Sequence, residues 1–310
     1  MKKVLVTGGA GFIGSHLIER LVKDDHKVVV IDDLSLGREE NLSSVKDKIQ
    51  FYKKSICEDL NDILEKEKFD CIFHVAALPS VQCSIAQPVI THEVNVNGTL
   101  NLLNLCKKHN VKRFVFSSSS SVYGEQKNIP LKEEMETKPT SPYALHKLIG
   151  EYYCQLFNLL YGIETISIRY FNVFGERQSA EGEYACLIPK FSKMFLSGTK
   201  PIINGDGEQT RDFIYVGNVV YANILASKTQ NKKSFGKAFN IGNGENKSVN
   251  YITQKIKDIL GVNLEATHGD PVIEPKHTLA DISKAREILE WVPNSNFDEN
   301  LKRTVESFKN

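Results

Sequence analysis

The stretch KVLVTGGAGFIG, residues 3–14, decides the fold of this chain. It begins with a short apolar run typical of a buried strand, and residues 13–23 carry apolar side chains at helical spacing. Glycines stand between strand and helix at positions 8, 11 and 14. A tight turn, a close approach of the backbone to a pyrophosphate and a close contact between helix and strand each require a residue without a Cβ atom. The first amides of the helix would then face the phosphates of a dinucleotide.

Asp32 ends the second apolar run, Val28–Ile31, 18 residues after Gly14. A carboxylate at this point can accept hydrogen bonds from a ribose 2′-hydroxyl and would repel a 2′-phosphate. The glycine loop and the aspartate together therefore favour NAD over NADP as the cofactor. The alternative interpretation is a glycine turn followed by a surface aspartate.

The first half of the chain alternates short apolar runs with helical patterns. Further runs and helical stretches occur at residues 71–75, 92–109, 113–116, 143–161 and 164–168. Continuous β-branched runs separated by helices predict an α/β fold, a Rossmann-type doubly wound parallel sheet. After residue 173 the alternation loosens and Gly, Pro and Asn become frequent. We therefore expect an NAD-binding domain over 1–172, with later segments returning to it, and a smaller C-terminal α/β substrate domain over 173–310.

The composition is that of a soluble globular protein. The 310 residues carry 39 basic and 38 acidic side chains, a net charge of +1, so the basic excess of nucleic-acid and membrane-surface proteins is missing. No apolar run approaches the length of about 18 residues that a membrane span needs, and no signal peptide is expected. The six cysteines are scattered without a CxxC pair, which predicts buried or half-buried thiols in a reducing cytoplasm and no metal site. Five histidines are interpreted as surface or capping residues: His16, His92, His109, His146 and His268.

Tyr143 and Lys147 lie at the start of a predicted helix, just after Ser141-Pro142. Positions i and i+4 share a helix face, so the phenol and the ammonium can meet one ligand. A neighbouring cation lowers a tyrosine pKa from about 10 toward the working pH, which makes a general base. The alternative is a pair that faces solvent.

Five serines, residues 117–121, follow a strand and precede the turn Val122-Tyr123-Gly124. Ligands bind at the carboxyl edge of open α/β sheets, so these hydroxyls can hold a reacting oxygen in line with Tyr143. The alternative for a serine run is a flexible linker.

With RYFNVFG at residues 169–175, these motifs resemble the extended short-chain dehydrogenases of the NAD-dependent epimerase/dehydratase family, which act on nucleotide sugars. The resemblance runs over nearly the whole chain. It implies that Tyr143 is the catalytic base, that Lys147 binds the nicotinamide ribose, and that Ser119 is the third catalytic group. It also implies a tightly bound NAD. The implied cofactor-binding residues are Gly8, Gly11, Phe12, Ile13, Gly14, Asp32, Asp33, Ser35, Gly37, Ser55, Ile56, Ala76, Ala77, Leu78, Asn95, Ser117, Tyr143, Lys147, Tyr170 and Val173.

The serine run also distinguishes between reactions of this family. The dehydratases and decarboxylases that resemble it place an acidic residue just before the Tyr-Gly turn, because eliminating water requires an acid. This chain has Ser119, Ser120 and Ser121 there and no carboxylate. The resemblance then favours a 4-epimerase, which oxidises C4 of the sugar, lets the 4-keto sugar turn over, and returns the hydride to the other face.

Five stretches look most like the family members that epimerise UDP-N-acetylglucosamine, namely residues 172–178, 183–185, 188–190, 204–213 and 276–285. Arg211 corresponds to the arginine that grips the UDP diphosphate, with a surface ion pair as the alternative. Thr278 falls where galactose-only relatives often have a bulky Tyr, so an N-acetyl group has room. UDP-glucose and UDP-galactose are further candidate substrates. The implied substrate-binding residues are Ser119, Ser120, Ser121, Tyr143, Asn172, Ile188, Pro189, Gln209, Arg211, Glu274 and Thr278.

The segment GDPVIEP, residues 269–275, departs from the family pattern. The family usually has Arg-x-Gly-Asp before the Ala280-Asp281 segment, and that arginine makes a second diphosphate contact. Glu274 can keep the acidic ribose contact, and Lys276 or His277 can replace the missing cation.

Alternatives remain open for the function and for the assembly. The first is an epimerase of plain UDP-glucose only or of UDP-glucuronate. The second is a non-catalytic NAD-sensing regulatory protein, against which the intact Ser119, Tyr143 and Lys147 count. The apolar faces of the helices at 92–109 and 143–161 pair into a homodimer in this family, although an intramolecular core would explain the same pattern. A UDP-sugar is thus the expected partner, with no nucleic acid and no membrane.

Overall fold

The computed structural model describes residues 2–181, 185–271 and 275–309. The strands are β1 (Lys3–Thr7), β2 (Lys27–Asp32), β3 (Ile49–Lys53), β4 (Cys71–His74), β5 (Arg113–Ser119), β6 (Glu164–Tyr170), β7 (Asn172–Phe174), β8 (Ile202–Asn204), β9 (Thr210–Arg211), β10 (Phe213–Tyr215), β11 (Lys237–Ile241), β12 (Lys247–Ser248) and β13 (Thr267–Gly269). The α-helices are α1 (Phe12–Lys23), α2 (Asn61–Glu67), α3 (Val81–Ala86), α4 (Pro88–His92), α5 (Gly98–Lys108), α6 (Pro142–Tyr161), α7 (Leu187–Leu196), α8 (Val216–Lys228), α9 (Val249–Leu260), α10 (Ser283–Leu289) and α11 (Phe297–Glu306). Short 3₁₀ segments occupy Glu39–Lys48, Ser120–Tyr123, Lys232–Ser234 and Ser307–Lys309, and Glu93–Asn97 form a π-helical turn.

The main sheet is parallel throughout and confirms the predicted doubly wound fold. Within the described ranges its seven strands lie in the order β11-β6-β5-β4-β1-β2-β3. The strand order reverses between β1 and β4, so the loops after these strands diverge and leave a crevice at the carboxyl edge. The glycine loop follows β1, and it therefore lies at this crevice.

Helices cover both faces of the sheet because side chains alternate along each strand. Val115 of β5 belongs to one apolar core with α1, α8 and α10. Phe114 and Phe116 of the same strand belong to a second core with α2, α5 and α6. A third core joins α7, α9 and α11 to β7, β8 and β10, and it lies beyond the main sheet.

Two features of the fold were not predicted from the sequence. The strands β3 and β11 were missed; β11 comes from the second half of the chain and pairs with β6. The boundary between an NAD-binding and a substrate domain at residue 172 stays a prediction. The sequence predicts one helical stretch over 92–109. This prediction is wrong in one detail, because a π-helical turn at Glu93–Asn97 separates α4 from α5. Across the described part of the chain, no helix has both the length and the apolar character that crossing a membrane requires.

Candidate active site

The glycine loop makes the tight turn expected between β1 and α1. Gly8 has a φ of +69°, and a Cβ atom there would lie 2.6 Å from the backbone nitrogen of Ala76. A Cβ atom on Gly14 would lie 2.1 Å from the carbonyl oxygen of Gly8, and one on Gly11 would lie 3.3 Å from it. Side chains at these positions would push the turn apart. Gly11 is also the N-cap of α1 and has no side chain to cover the first amides, so the cradle fits a diphosphate.

Asp32, the last residue of β2, ties this turn to the loop that follows. Its Oδ2 accepts a hydrogen bond from the backbone N–H of Ala10 at 2.9 Å, and its Oδ1 accepts one from Leu34 at 2.8 Å. Burial raises the pKa of Asp32, while these two donors act in the opposite direction. A Cβ atom on Gly37 would lie 2.8 Å from Oδ1, so the loop reaches the carboxylate only with a glycine there.

The other residues expected near this end of the cofactor follow β2 and β3. Asp33 Oδ1 accepts hydrogen bonds from the backbone N–H and the hydroxyl of Ser35, at 2.9 and 2.6 Å. The Ser55 hydroxyl accepts one from the Cys57 N–H at 3.3 Å, and Ile56 is buried. All four predicted residues therefore lie at the carboxyl edge of the sheet.

Asn95 lies in the π-helical turn and holds the loop after β4. Its Oδ1 accepts a hydrogen bond from the Leu78 N–H at 2.8 Å, and its Nδ2 donates to the Leu78 carbonyl at 3.0 Å. Asn95 was expected to bind the cofactor; in the structure its amide shapes the loop that carries Ala76 and Ala77.

A chain of buried hydrogen bonds behind this loop was missed by sequence reasoning. The Thr99 hydroxyl donates to the Asn95 carbonyl at 2.7 Å and therefore accepts from Nε2–H of His74 at 2.9 Å. The Nδ1 atom of the same ring then accepts from the Thr7 hydroxyl at 2.8 Å. Burial lowers the pKa of His74 to about 3, so the ring is neutral. The signal was a histidine at the end of an otherwise apolar strand.

Ser119, Tyr143 and Lys147 come together where β5 ends and α6 begins. Ser119 is the last residue of β5, and its hydroxyl interacts with that of Tyr143 through a hydrogen bond. The Lys147 ammonium donates to the Ser117 carbonyl at 2.7 Å and lies 5.9 Å from the centre of the Tyr143 ring. Ser84 Oγ accepts from the Tyr143 N–H at 3.0 Å, which fixes the first turn of α6. The structure thus brings together the three residues predicted for catalysis.

Burial controls the protonation of this pair. It raises the pKa of Tyr143 to about 12, against the opposing hydrogen bond from Ser119. It lowers the pKa of Lys147 to about 8. The prediction that Lys147 lowers the pKa of Tyr143 is wrong for this arrangement, because the ammonium is directed at the Ser117 carbonyl and desolvation of the phenol dominates.

Four further predicted residues lie near the same edge. The Tyr170 hydroxyl is within 3.0 Å of the Ser117 hydroxyl and also bonds to Asn223, so it is engaged inside the core. Val173 lies in β7 and is half-buried, as are Phe12 and Ile13 at the start of α1.

Arg211 lies in β9, beside the segment that contains Thr278. Its Nη1 atom donates to the carbonyls of Thr210 at 2.9 Å and Lys276 at 3.3 Å. The Thr278 N–H donates to the Thr210 carbonyl at 3.1 Å, which draws this segment alongside β9. The Thr278 hydroxyl is buried and finds no hydrogen-bond partner among the residues that the structure describes. Glu274 lies outside the described residues.

The remaining predicted substrate residues are distributed over four elements. Ser120 and Ser121 form the 3₁₀ turn after β5, and the buried Ser121 hydroxyl has no partner in residues 2–181, 185–271 and 275–309. Asn172 is exposed at the start of β7. Ile188 and Pro189 are buried on α7, and Gln209 Nε2 donates to the Asn204 carbonyl at 2.9 Å.

Asp212 was missed as an organising residue of this half. Its carboxylate accepts backbone hydrogen bonds from Asn243 at 2.6 Å, Gly244 at 3.1 Å and Ala280 at 3.1 Å. Burial raises its pKa to about 6. It fastens the Thr278–Ala280 segment to the strand that carries Arg211. A carboxylate between an arginine and an apolar strand was its sequence signal.

One cysteine and one histidine differ from the sequence interpretation in their surroundings. His146 was interpreted as a surface residue, but it is buried against His92 with a ring separation of 5.2 Å. Cys186 precedes α7 and is exposed. Searching the described residues reveals no cluster of metal ligands.

Known proteins of similar sequence and structure were compared with this chain. A model of the NAD dependent epimerase/dehydratase family matches residues 4–242. A putative UDP-glucose 4-epimerase of Methanocaldococcus jannaschii is 40% identical over 310 residues, which cover 99% of this chain and 98% of the relative. A UDP-N-acetylglucosamine 4-epimerase from Methanobrevibacter ruminantium M1, solved in complex with UDP-N-acetylmuramic acid, has a TM-score of 0.94 at 41% identity, over 99% of this chain and 98% of that one. A UDP-glucose 4-epimerase with UDP-glucose from Thermotoga maritima has a TM-score of 0.94 at 37% identity, with the same coverage of 99% and 98%.

Proposed function

The chain belongs to the NAD dependent epimerase/dehydratase family and is an NAD-dependent UDP-sugar 4-epimerase, and we propose that it interconverts UDP-N-acetylglucosamine and UDP-N-acetylgalactosamine. Plain UDP-glucose and UDP-galactose are proposed as further substrates. These comparisons confirm the family, the enzyme class and the dependence on NAD that the sequence motifs predict.

We propose that NAD lies across the carboxyl edge of the main sheet and stays bound between turnovers. The glycine turn and the first amides of α1 would hold its diphosphate, and Asp32 would face a ribose. The tight packing of Gly8 and Gly14 against backbone atoms supports this, because a side chain would fill the cradle. When bound, NAD supplies the acceptor for the hydride that leaves C4 of the sugar.

The proton is assigned to Tyr143. In this proposal the Tyr143 phenolate takes the proton of the 4-hydroxyl and the resulting phenol later returns it, while the Ser119 hydroxyl holds the same oxygen. A phenol with a pKa of about 12 is a competent donor for the return step. Its action as a base requires the phenolate to form, and Lys147, one helical turn away, would bind the nicotinamide ribose.

The preference for N-acetylated sugars rests on Thr278. This side chain is small, and its buried hydroxyl has no partner among the described residues. A hydroxyl in this state favours a ligand group that can hydrogen-bond to it, such as an acetamido group. Arg211 lies beside the Thr278 segment, where its guanidinium would bind the diphosphate. The Methanobrevibacter relative, named as a UDP-N-acetylglucosamine 4-epimerase, supports the same assignment.

The proposal is tested by incubating the purified protein, without added NAD, with UDP-N-acetylglucosamine, UDP-glucose and UDP-glucuronate separately. We expect NAD to be released on denaturation and the N-acetylated pair to interconvert. Turnover of UDP-glucose alone or UDP-glucuronate alone would replace the proposed substrate. Tyr143→Phe is the matched control, since it removes only the hydroxyl; a wild type as inactive as this variant, with NAD still bound, would point to the NAD-sensing alternative.

We further propose a homodimer formed by α5 and α6. The outer face of α6 exposes four large apolar side chains in its second half, Tyr152, Leu156, Leu159 and Leu160, of which Leu159 is 75% exposed. An open groove of about 420 Å³ lies beside it between α5 and α6, lined by Leu100, Phe157 and the asparagines Asn97, Asn101 and Asn104. An apolar face of this length on a 20-residue helix is typical of an interface, and a second copy presents the matching face.

A further inference from the structure

We propose that Glu151, held by Ser118 and Arg169, is a positioning residue that keeps Ser119, Tyr143 and Lys147 in register. This inference rests on the proposed epimerase function for its kinetic consequences. Its structural consequence, a fixed contact between α6 and the end of β5, stands independently of the substrate.

Glu151 is a buried carboxylate with three hydrogen bonds. Its Oε1 accepts from the Ser118 hydroxyl at 2.5 Å and from Arg169 Nε at 2.9 Å, and its Oε2 accepts from Arg169 Nη2 at 2.7 Å. The three residues are at most 8% exposed. A carboxylate gripped by both nitrogens of a guanidinium has little freedom to rotate.

These contacts place Glu151 directly behind the catalytic residues. Tyr143, Lys147 and Glu151 are spaced four residues apart, so they share one face of α6. Lys147 bonds to the carbonyl of Ser117, and Glu151 bonds to the side chain of Ser118. Two successive turns of α6 therefore grip two successive residues of β5, immediately before Ser119.

The helix can approach the strand this closely because of Gly150. A Cβ atom there would lie 2.4 Å from Cζ of Phe116, which is on the same face of β5 as Ser118. The Glu151 contact thus belongs to the closest part of the helix–strand interface.

Arg169 extends the contact to the turn that follows Ser119. Its guanidinium lies 4.7 Å from the centre of the Tyr123 ring, and the Tyr123 hydroxyl donates to Asn240 Oδ1 at 2.7 Å. One of its nitrogens, Nη1, is buried without a partner among the described residues. Of the carboxylates in the described part of the chain, Glu151 is the one paired with this cation, and it fixes the position of the guanidinium.

Glu151 also acts on Lys147 electrostatically. Its charge raises the pKa of the ammonium and opposes the desolvation that lowers it. The ionisable groups placed around Lys147 and Glu151 by α6 and its neighbours are Tyr143, His146, Cys154, His74, Tyr123 and Arg169. Removing the carboxylate leaves Lys147 with a buried guanidinium and no nearby carboxylate among them.

The same two strands provide a matched control at their other end. Arg113 begins β5 and Glu164 begins β6, and their side chains form an ion pair of 2.6 Å between Nη2 and Oε2. Ser118 and Arg169 are partners in the same ladder, at the carboxyl end. The Arg113–Glu164 pair joins the first residues of β5 and β6, whereas Ser118 and Arg169 join the two strands next to Ser119. The Arg113–Glu164 pair is therefore remote from the catalytic residues.

The test compares Glu151→Gln, Ser118→Ala and the double variant Glu151→Leu/Arg169→Met with Glu164→Gln. For Glu151→Gln and Ser118→Ala we expect kcat for the UDP-sugar to fall about tenfold, with KM within about twofold and NAD content unchanged. For Glu151→Gln the alkaline limb of the kcat profile should move to lower pH by roughly half a unit or more. The double variant should recover thermal stability without recovering kcat, because an apolar pair replaces a buried ion pair.

Amide hydrogen exchange measured by mass spectrometry provides a readout without substrate. We expect faster exchange at residues 117–121 and 143–147 in the Ser118 and double variants, and wild-type exchange there in Glu164→Gln. If the double variant matches the wild type in kcat, pH profile and exchange, Glu151 is only structural and the proposal is overturned. If the wild type turns over no UDP-sugar, the proposed function fails, and exchange decides the positioning role. Ser118→Ala decides it if Glu151→Gln does not fold.

Discussion

At the scale of single residues, the titratable groups buried behind the sheet edge hold loops and neighbouring elements in place. Asp32 holds two loop amides, Asp212 holds three, and His74 joins the Thr7 hydroxyl of β1 to the Thr99 hydroxyl of α5. Burial favours the neutral form of each group: it raises the pKa of Asp32 and of Asp212, and it lowers the pKa of His74. These buried polar side chains therefore fix the shape of the loops at the carboxyl edge of the sheet.

His74 should make the protein less stable in acid. The unfolded histidine takes up a proton near pH 6.5, whereas the folded one does so only near pH 3. The unfolded state therefore binds more protons in between, so the stability present above pH 6.5 is lost as the pH falls toward 3. Between pH 7 and 5 the free energy of unfolding should fall by about 2 kcal/mol less in His74→Gln than in the wild type, as measured by urea titration.

The control for His74 is His268→Gln, because His268 is exposed. This variant should lose stability with pH as the wild type does. Equal acid sensitivity of His74→Gln and the wild type would contradict the assignment of a neutral buried ring.

Thr278 should control the choice of sugar. A Thr278→Tyr variant fills the space next to the Arg211 strand, and we expect kcat/KM for UDP-N-acetylglucosamine to fall at least about tenfold, while that for UDP-glucose changes by less than about threefold. Initial rates with each substrate measure the effect. Thr278→Ser keeps the hydroxyl at smaller size and should retain both activities. A parallel loss of both activities in the Tyr variant would argue against a role in specificity.

At the scale of elements, two helices meet the sheet through glycine. Gly14 brings α1 against the turn after β1, and Gly150 brings α6 against Phe116 of β5. The first contact positions amides for a diphosphate, and the second positions Tyr143 and Lys147. Helix placement to within a fraction of an ångström therefore depends on these two residues.

Gly14→Ala should disturb the position of α1. Its Cβ atom would lie 2.1 Å from the Gly8 carbonyl oxygen, so the helix must move. We expect a loss of stability of about 2–3 kcal/mol and loss of most bound NAD, measured by thermal unfolding and by NAD release. Gly11→Ala, whose Cβ atom would lie 3.3 Å from the same oxygen, should destabilise less. Similar stability in the two variants would refute the steric account.

At the scale of the whole molecule, the carboxyl edge of the sheet faces a second layer built from residues after β6. The strand of Arg211 and the irregular segment that contains Thr278 lie in that layer, and β11 returns from it to the main sheet. The catalytic edge is thus enclosed by two parts of one chain. The outer face of α6 points away from this edge and exposes apolar side chains.

The proposed homodimer should depend on that outer face. Leu159→Asp/Leu160→Asp places two charges on side chains that are 75% and 63% exposed. We expect the wild type to have the mass of a dimer by light scattering and the double variant that of a monomer, because charges in an apolar interface are desolvated without partners. Ile202→Asp changes a residue that is 58% exposed on β8 and should leave the dimer intact. A monomeric wild type would refute the proposal.

Short sequence patterns were sufficient to predict much of the main sheet and part of the candidate site. The apolar runs of β1, β2, β4, β5 and β6 were predicted because parallel strands are buried on both faces. The Tyr143–Lys147 spacing and the serine run singled out residues that the structure brings together. By contrast, β3 was missed since its pattern is only partly buried, and the π-helical turn at Glu93–Asn97 was missed because such turns are rare and this one contains no Gly or Pro to mark it.

The sequence by itself determined the doubly wound sheet and the glycine turn, and it singled out the residues proposed for catalysis, because each follows from residues close together in the chain. Only the tertiary structure decided the protonation of these residues and the contacts that hold them in place. The pKa of Tyr143 depends on how completely the phenol is desolvated, and Glu151 meets Ser118 and Arg169 across gaps of 33 and 18 residues. Burial and long-range contact are properties of the packed chain, and local spacing does not contain them.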